Sequence, residues 1–469
     1  MRRTLLVPLS RLLLKGASWA LDHFYEVGRV GSGIPGGPVL VIANHPNSVV
    51  DGLVIMKVAG RRVRPLARAP LFEQPLFGHV LRALDALPVY RPQDAPGETW
   101  RNESTFKAAV KALLCGEAVL IFPEGLSHSE GSLARLKTGA ARLALEAEES
   151  AAWRLGLKVV PVGLTYHRKH AFQGRVAAAV GGAFDVARWR EQRQREPWGA
   201  VESLTAAMRE SLEAVTLNLP SREDAALVEA AETLYATEKR LTTPRAREAL
   251  APRMPRLQQF ARAVAWLAVA DPDRYTALTR AVRSYRQRLA VLGIREGDLP
   301  ERFSLVSVTR YVIVESLVLL VGLPMALLGT LAWLLPFESP RLLLDNYDFP
   351  HEVVATAKLA TALLAFPVTF ALWLTAAWFI GGLRMLLTAA ALLPLAGVVA
   401  LYWRKRWGVV REDARVFWRS IRRKQLRQQL IRRRQALVRE FDSVAGQWLA
   451  ERASSPVRAS RVEAEPGDA

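Results

Sequence analysis

Along the first third of the chain, short apolar runs alternate with stretches of helical spacing. The runs occupy residues 38–43, 86–90, 118–122 and 158–165, and the helical stretches residues 48–58, 76–84, 101–115 and 134–149. This alternation predicts an α/β domain over residues 31–182, a buried and mostly parallel sheet flanked by helices. Residues 183–310 lose the strand pattern. They are rich in Arg, Glu, Ala and Leu, with breaks at Pro220 and Pro244, and predict a helical extension. Three uncharged apolar segments follow within residues 311–403: 316–337 (22 residues), 359–383 (25) and 385–403 (19). At about 1.5 Å per residue each is long enough to cross a hydrocarbon core of roughly 30 Å. Residues 404–469 predict a helical tail, with Leu430, Leu437, Phe441, Val444 and Trp448 on one face and a disordered end from Ala453. That face packs on the soluble domain or lies on a bilayer. At the other end, Leu5, Leu9, Leu12, Leu13, Trp19, Ala20 and Phe24 predict an amphipathic helix within residues 1–30, lying on a membrane or packed on the domain.

Charge sharpens the membrane reading. The net +20 is concentrated in residues 404–439, where fourteen Lys and Arg face only Glu412 and Asp413, a local +12. A basic block that begins directly after an apolar segment suits anionic lipid headgroups better than nucleic acid. Three crossings would put the soluble domain and this tail on opposite sides, while Arg404-Lys405-Arg406 favours a cytoplasmic tail. A bend at Gly322 and Pro324 in the first segment, and a turn at Gly381-Gly382 joining the second to the third, would keep all polar parts on one side. Cys115 is the only cysteine, so no intramolecular disulfide forms and a reducing cytosolic face fits.

The chemistry gathers where the strands end. Asn44-His45-Pro46-Asn47-Ser48-Val49-Val50-Asp51 follows the first run, placing His45 six positions before Asp51. A histidine near its reference pKa is a ready base, and a carboxylate behind it fixes the tautomer and stabilises the imidazolium. After the second run comes Leu87-Pro88-Val89-Tyr90-Arg91-Pro92. The third is Ala118 to Phe122 followed by Pro123-Glu124-Gly125-Leu126-Ser127-His128, leading into Leu136-Lys137-Thr138-Gly139-Ala140-Ala141. The last block is Val159 to Thr165.

Together, in this order, these blocks resemble those of the glycerolipid acyltransferase family, which contains the glycerol-3-phosphate and 1-acyl-glycerol-3-phosphate acyltransferases. The resemblance covers roughly residues 20–170, with one departure: the commoner motif is His-x4-Asp and this chain has His-x5-Asp. Some glycerol-3-phosphate acyltransferases look similar in that extra residue. The resemblance implies a bacterial-type enzyme of the inner (cytoplasmic) membrane, with its catalytic domain on the cytoplasmic side. It would move a fatty acyl group from acyl-CoA or acyl carrier protein to glycerol 3-phosphate or its 1-acyl form (lysophosphatidic acid) for phospholipid synthesis. His45 would be the catalytic base and Asp51 its orienting partner. Arg91, Glu124 and Gly125 would bind substrate by the family's pattern, with Ser127, Lys137 and Thr138 beside them. Backbone N–H groups at the helix start after His45 are the candidate oxyanion donors. His128 receives no role, and Cys115, lacking an activating base, is read as core packing. Another lyso-lipid or dihydroxyacetone phosphate stands as an alternative acceptor, and a non-catalytic membrane-binding protein as an alternative function. No cofactor is implied, because no glycine-rich phosphate loop or nicotinamide fingerprint is present. His23, His79, His167, His170 and His351 lack the clustered ligands of a metal site.

Overall fold

The computed structural model describes residues 16, 18–19, 21–91, 97, 99–128, 130–169, 171, 173–219, 221–239, 249–292, 305–346, 354–422 and 424–454. Leu5, Leu9, Leu12, Leu13 and Ala20 of the expected N-terminal helix lie outside these, as does the end expected to be disordered from Ala453, except Ala453 and Ser454, which close the last helix. The chain divides into two compact units. One comprises Met1–Asn218, Ala249–Met254 and Thr330–Leu395, the other Leu219–Glu248, Pro255–Gly329 and Ala396–Ala469.

The first unit holds an eight-stranded sheet of β1 (Tyr25–Gly31), β2 (Val39–Ala43), β3 (Val63–Arg68), β4 (Leu87–Val89), β5 (Ala118–Ile121), β6 (Lys158–His167), β7 (Gly174–Val180) and β8 (Phe184–Asp185). The order is β1-β7-β6-β2-β5-β3-β4, with β8 also on β6. Strands β6, β2, β5, β3 and β4 run parallel, whereas β7 and β8 pair antiparallel to β6. The apolar runs now have a cause. In β2 every residue is fully buried, Leu40 and Ile42 in one cluster and Val39, Val41 and Ala43 in the other, because a strand's side chains alternate between faces. One face is covered by α3 (Asn102–Leu114), α4 (Gly139–Ser150) and α6 (Pro197–Val215), which follows the short α5 (Arg190–Arg195). The other is covered by α1 (Val49–Ala59), with Leu21 and Phe24 of the N-terminal helix. That helix therefore packs on the domain where it is described, although Trp19 is exposed. The remaining helix, α2 (Pro75–Ala83), precedes β4. At Gly163 in β6 a Cβ would stand 2.2 Å from the Val215 carbonyl oxygen, so only glycine lets α6 approach this closely.

The second unit is helical. α7 (Arg222–Glu238) and α9 (Pro272–Leu292) pack with α13 (Lys424–Ser454); α8 (Leu250–Ala270) runs through both units. Leu430, Leu437, Phe441 and Val444, the expected apolar face of the tail, are buried, with Phe441 edge-on to Phe260. The tail's apolar face thus packs on the helical extension. Arg434 pairs with Glu238 at 2.9 Å, and Arg256 with the buried Glu232 at 2.9 Å.

The apolar segments form α10 (Leu305–Ala332), α11 (Leu334–Asn346) and α12 (Val354–Arg422). Among the described residues, two stretches, Thr309–Ala332 and Ala360–Arg411, are long and apolar enough to cross a membrane. α10 stays helical through Gly322 and Pro324 and breaks instead at Trp333. Pro336 has no N–H to give the Ala332 carbonyl, which accepts from Trp373 Nε1 at 2.9 Å. Within α12 the backbone leaves helical geometry at Gly381 (φ −148°, ψ 21°) and Gly382 (φ 59°, ψ −149°), the turn expected between the second and third segments.

Candidate active site

The carboxyl ends of the parallel strands share one edge of the sheet, and β2, β4, β5 and β6 supply parts of a cluster there, as expected of an open α/β sheet. His45 follows β2. Its Nδ1 lies 2.9 Å from Oδ2 of Asp51, a fully buried residue in the first turn of α1. The chain turns between them at Ser48, whose φ of 47° is left-handed. Asp51 is held by two further donors, the Asn47 N–H at 2.6 Å on Oδ2 and the Tyr166 hydroxyl at 2.6 Å on Oδ1. Phe122, just past β5, stacks on the imidazole with ring centres 3.9 Å apart and planes 15° from parallel. Ring plane and Nδ1 are both fixed, and Nε2 is the nitrogen left to take a proton.

Two tyrosines back this dyad. Burial, and then the charge of Asp51, push the Tyr166 hydroxyl well above its ordinary pKa. The Tyr25 hydroxyl is raised too, chiefly by burial; it accepts from Asn47 Nδ2 at 3.1 Å and donates to the Lys169 carbonyl. Both therefore stay protonated and remain donors at any ordinary pH. Asn44 fastens the end of β2 to β6, donating to the Leu164 carbonyl at 3.0 Å and accepting its N–H at 2.7 Å.

The loop after β5 clamps the chain around His45. Glu124 is buried; it accepts from the His45 N–H at 3.2 Å and the Ala134 N–H at 2.7 Å, and pairs with His128 Nε2. Ser127 Oγ donates to the His45 carbonyl at 2.8 Å and accepts from the Ser48 N–H at 3.1 Å. The polar atoms of Glu124 and Ser127, expected at substrate, thus hold the base's backbone. The N–H groups of Asn47 and Ser48, candidate oxyanion donors, are engaged by Asp51 and Ser127.

Between these clamps sits Gly125, with φ of 71°. Arg91, past β4, donates to its carbonyl at 2.8 Å, and a Cβ there would stand 2.9 Å from the Lys137 Nζ. Two cations therefore converge on one glycine. Thr138 follows Lys137 and opens α4, without capping it through its side chain. Cys115, expected in the core, is exposed just past α3. Among the described residues no three His, Cys, Asp or Glu side chains gather as metal ligands. Sequence reasoning missed Tyr25, Asn47, Phe122, His128 and Tyr166. Tyr166 carried a signal, since it ends the series Val160, Val162, Leu164 on the α1 face of β6 and is the member with a hydroxyl.

Residues 26–165 match the family model Acyltransferase. Glycerol-3-phosphate O-acyltransferase 2 of Saccharomyces cerevisiae is 34% identical over 145 residues, 30% of this chain and 19% of that protein. Glycerol-3-phosphate O-acyltransferase 1 of the same yeast is 24% identical over 322 residues, covering 49% of this chain and 42% of that protein. An uncharacterized acyltransferase of Schizosaccharomyces pombe is 24% identical, covering 46% of this chain and 45% of that protein. The chain thus spans less than half the length of these relatives. The crystal structure of the 1-acyl-sn-glycerophosphate (LPA) acyltransferase PlsC from Thermotoga maritima matches with a TM-score of 0.31 and 21% identity, over 46% of this chain and 84% of that one.

Proposed function

We propose that this chain, whose residues 26–165 carry the acyltransferase family domain, is a membrane O-acyltransferase acting on glycerol 3-phosphate or its 1-acyl form. The observation that supports it most is the pairing of a fixed His45–Asp51 dyad with the two cations at Gly125. His45 Nε2 takes the acceptor's hydroxyl proton as that oxygen attacks the thioester carbonyl carbon. The tetrahedral intermediate then collapses, the carbon–sulfur bond breaks, and the imidazolium returns its proton to the leaving thiolate. Arg91 and Lys137 hold the acceptor's phosphate, the guanidinium supplying paired donors. Glu124 and Ser127 are positioning residues that keep the His45 backbone in place. The donor is acyl-CoA or acyl carrier protein.

The extra residue in His-x5-Asp, together with the names of the two Saccharomyces relatives, favours glycerol 3-phosphate as acceptor. Those relatives are fungal, so the proposal is for a membrane with the catalytic face in the cytosol, not for a bacterial membrane in particular. Detergent-solubilised protein given labelled acyl-CoA or acyl carrier protein, with each acceptor in turn, tests the reading. Substituting His45→Ala is expected to lower turnover by about 10²- to 10⁴-fold; undiminished turnover would remove His45 from the role of base.

A further inference from the structure

From contacts inside the first unit we infer that α12 is a transmembrane hairpin whose turn, Gly381-Gly382, reaches the far face of the bilayer, and that the chain entering α11 turns back at Trp333, at mid-depth. The chain then crosses twice, and its polar parts before Val354 and after Arg411 share one side. This rests on the membrane reading of the proposed function.

Trp333 settles the reversal. Phe366, Phe370, Ala389 and Leu393 gather around it, and its Nε1 donates to the Leu393 carbonyl at 2.9 Å. In a straight helix Phe366 and Leu393 would stand about 40 Å apart, at about 1.5 Å per residue. One indole cannot touch both, so the two arms run side by side from the turn. Phe370 and Leu393 each lie eleven positions from the turn's glycines, which places Trp333 about 16 Å below it. Phe337 then meets Phe366, farther from the turn than Phe370, so the chain has reversed at Trp333 and descends. In the second unit, by itself, α10 runs antiparallel to the part of α12 after Ala396: Tyr311 bonds Asp413, Glu315 bonds Arg406, and the Leu319 carbonyl accepts from Trp403 Nε1.

Depth follows from length and exposure. Leu363 packs against the sheet's hydrophobic cluster eighteen positions before Gly381, about 27 Å from the turn. The α/β domain therefore grips the arm close to one hydrocarbon thickness, roughly 30 Å, below the turn. Above that grip the arm exposes Leu364, Val368 and Leu372, and near the turn Phe379 and Ile380 are 82% and 75% exposed. The returning arm is uncharged from Met385 to Trp403, then meets Arg404, Lys405 and Arg406 at headgroup depth. Arg384, beside the turn, is the one charged residue in 359–403, and a full crossing puts it in water. A hydrocarbon core is the occupant that matches this length and this placement of charge.

Single-cysteine reporters in sealed vesicles of known orientation, labelled with a membrane-impermeant maleimide, test the topology. Native Cys115 reports the α/β domain, and Arg341→Cys, Arg384→Cys and Leu449→Cys are made on a Cys115→Ser background. Retention of each variant in the membrane through an alkaline carbonate wash is established first. The expected result is that positions 115, 341 and 449 label from one side and position 384 from the other. Position 341 or 449 on the side opposite Cys115 would overturn the even crossing number. Position 384 labelled with the rest, or only after detergent, would overturn the full crossing. Release by carbonate would instead refute the membrane reading itself.

Discussion

Asp51 shows how much a single buried side chain can organise. Its two oxygens receive the imidazole, a backbone N–H and the Tyr166 hydroxyl, so its geometry sets that of His45. Tyr166 touches no reacting atom and is a positioning residue. Its contribution can be read in the pH dependence of stability. A free tyrosine titrates near pH 10, and burial beside Asp51 raises Tyr166 above that. The unfolded chain then releases this proton while the folded chain keeps it, so the associated stability is complete below about pH 10 and declines above it. Wild type should lose more thermal stability than Tyr166→Phe between about pH 8.5 and 10.5; equal losses would contradict this. The His45–Asp51 pair was legible because both residues lie in one eight-residue segment. The bond of Tyr166 to Asp51 was not, because the alternation in β6 marks only the face of Tyr166, and the β2–β6 pairing is what brings a residue 115 positions away onto Asp51.

At the scale of elements, three of the four strands legible in the sequence, β2, β5 and β6, are buried on both faces, whereas β4 is only half-buried. Leu40 in β2 is fully buried, and Leu40→Ala should cost about 2–5 kcal/mol through lost burial and a residual cavity. A drop in the unfolding midpoint monitored in detergent checks this, and an unchanged midpoint would mean the cluster collapses around the gap. The strands that escaped notice have weak signatures. β1 carries Glu26, Arg29 and two glycines, β3 contains Pro65 between arginines, and β7 is built on three alanines, a residue of low strand propensity. α4 begins five residues later than its spacing suggested. Residues 134–138 remain loop, where the N–H groups of Ala134 and Lys137 bond Glu124 and the Pro123 carbonyl. That departure from pattern marks the site itself.

At the scale of the whole molecule, periodicity showed the tail's apolar face and could not say what covers it. The structure supplies α7 and α9, together with the Arg434–Glu238 pair. Arg434→Ala should destabilise this unit by less than the roughly 3–5 kcal/mol of a fully buried pair, because Glu238 keeps a quarter of its side chain in water. Hydrogen exchange should accelerate along Lys424–Ser454 and stay unchanged in β2; acceleration in both would show one cooperative block. The reversal at Gly381-Gly382 also bears on how the protein is made. If α12 is the transmembrane hairpin inferred above, a machinery that pushed the tail after the second arm through the bilayer would move seventeen basic residues between Arg404 and Arg461, whereas inserting both arms as one loop would move only the turn and Arg384 across. Biogenesis would then be an all-or-none event of a paired segment, and the glycines that permit the turn would matter to assembly as much as the apolar arms do to residence.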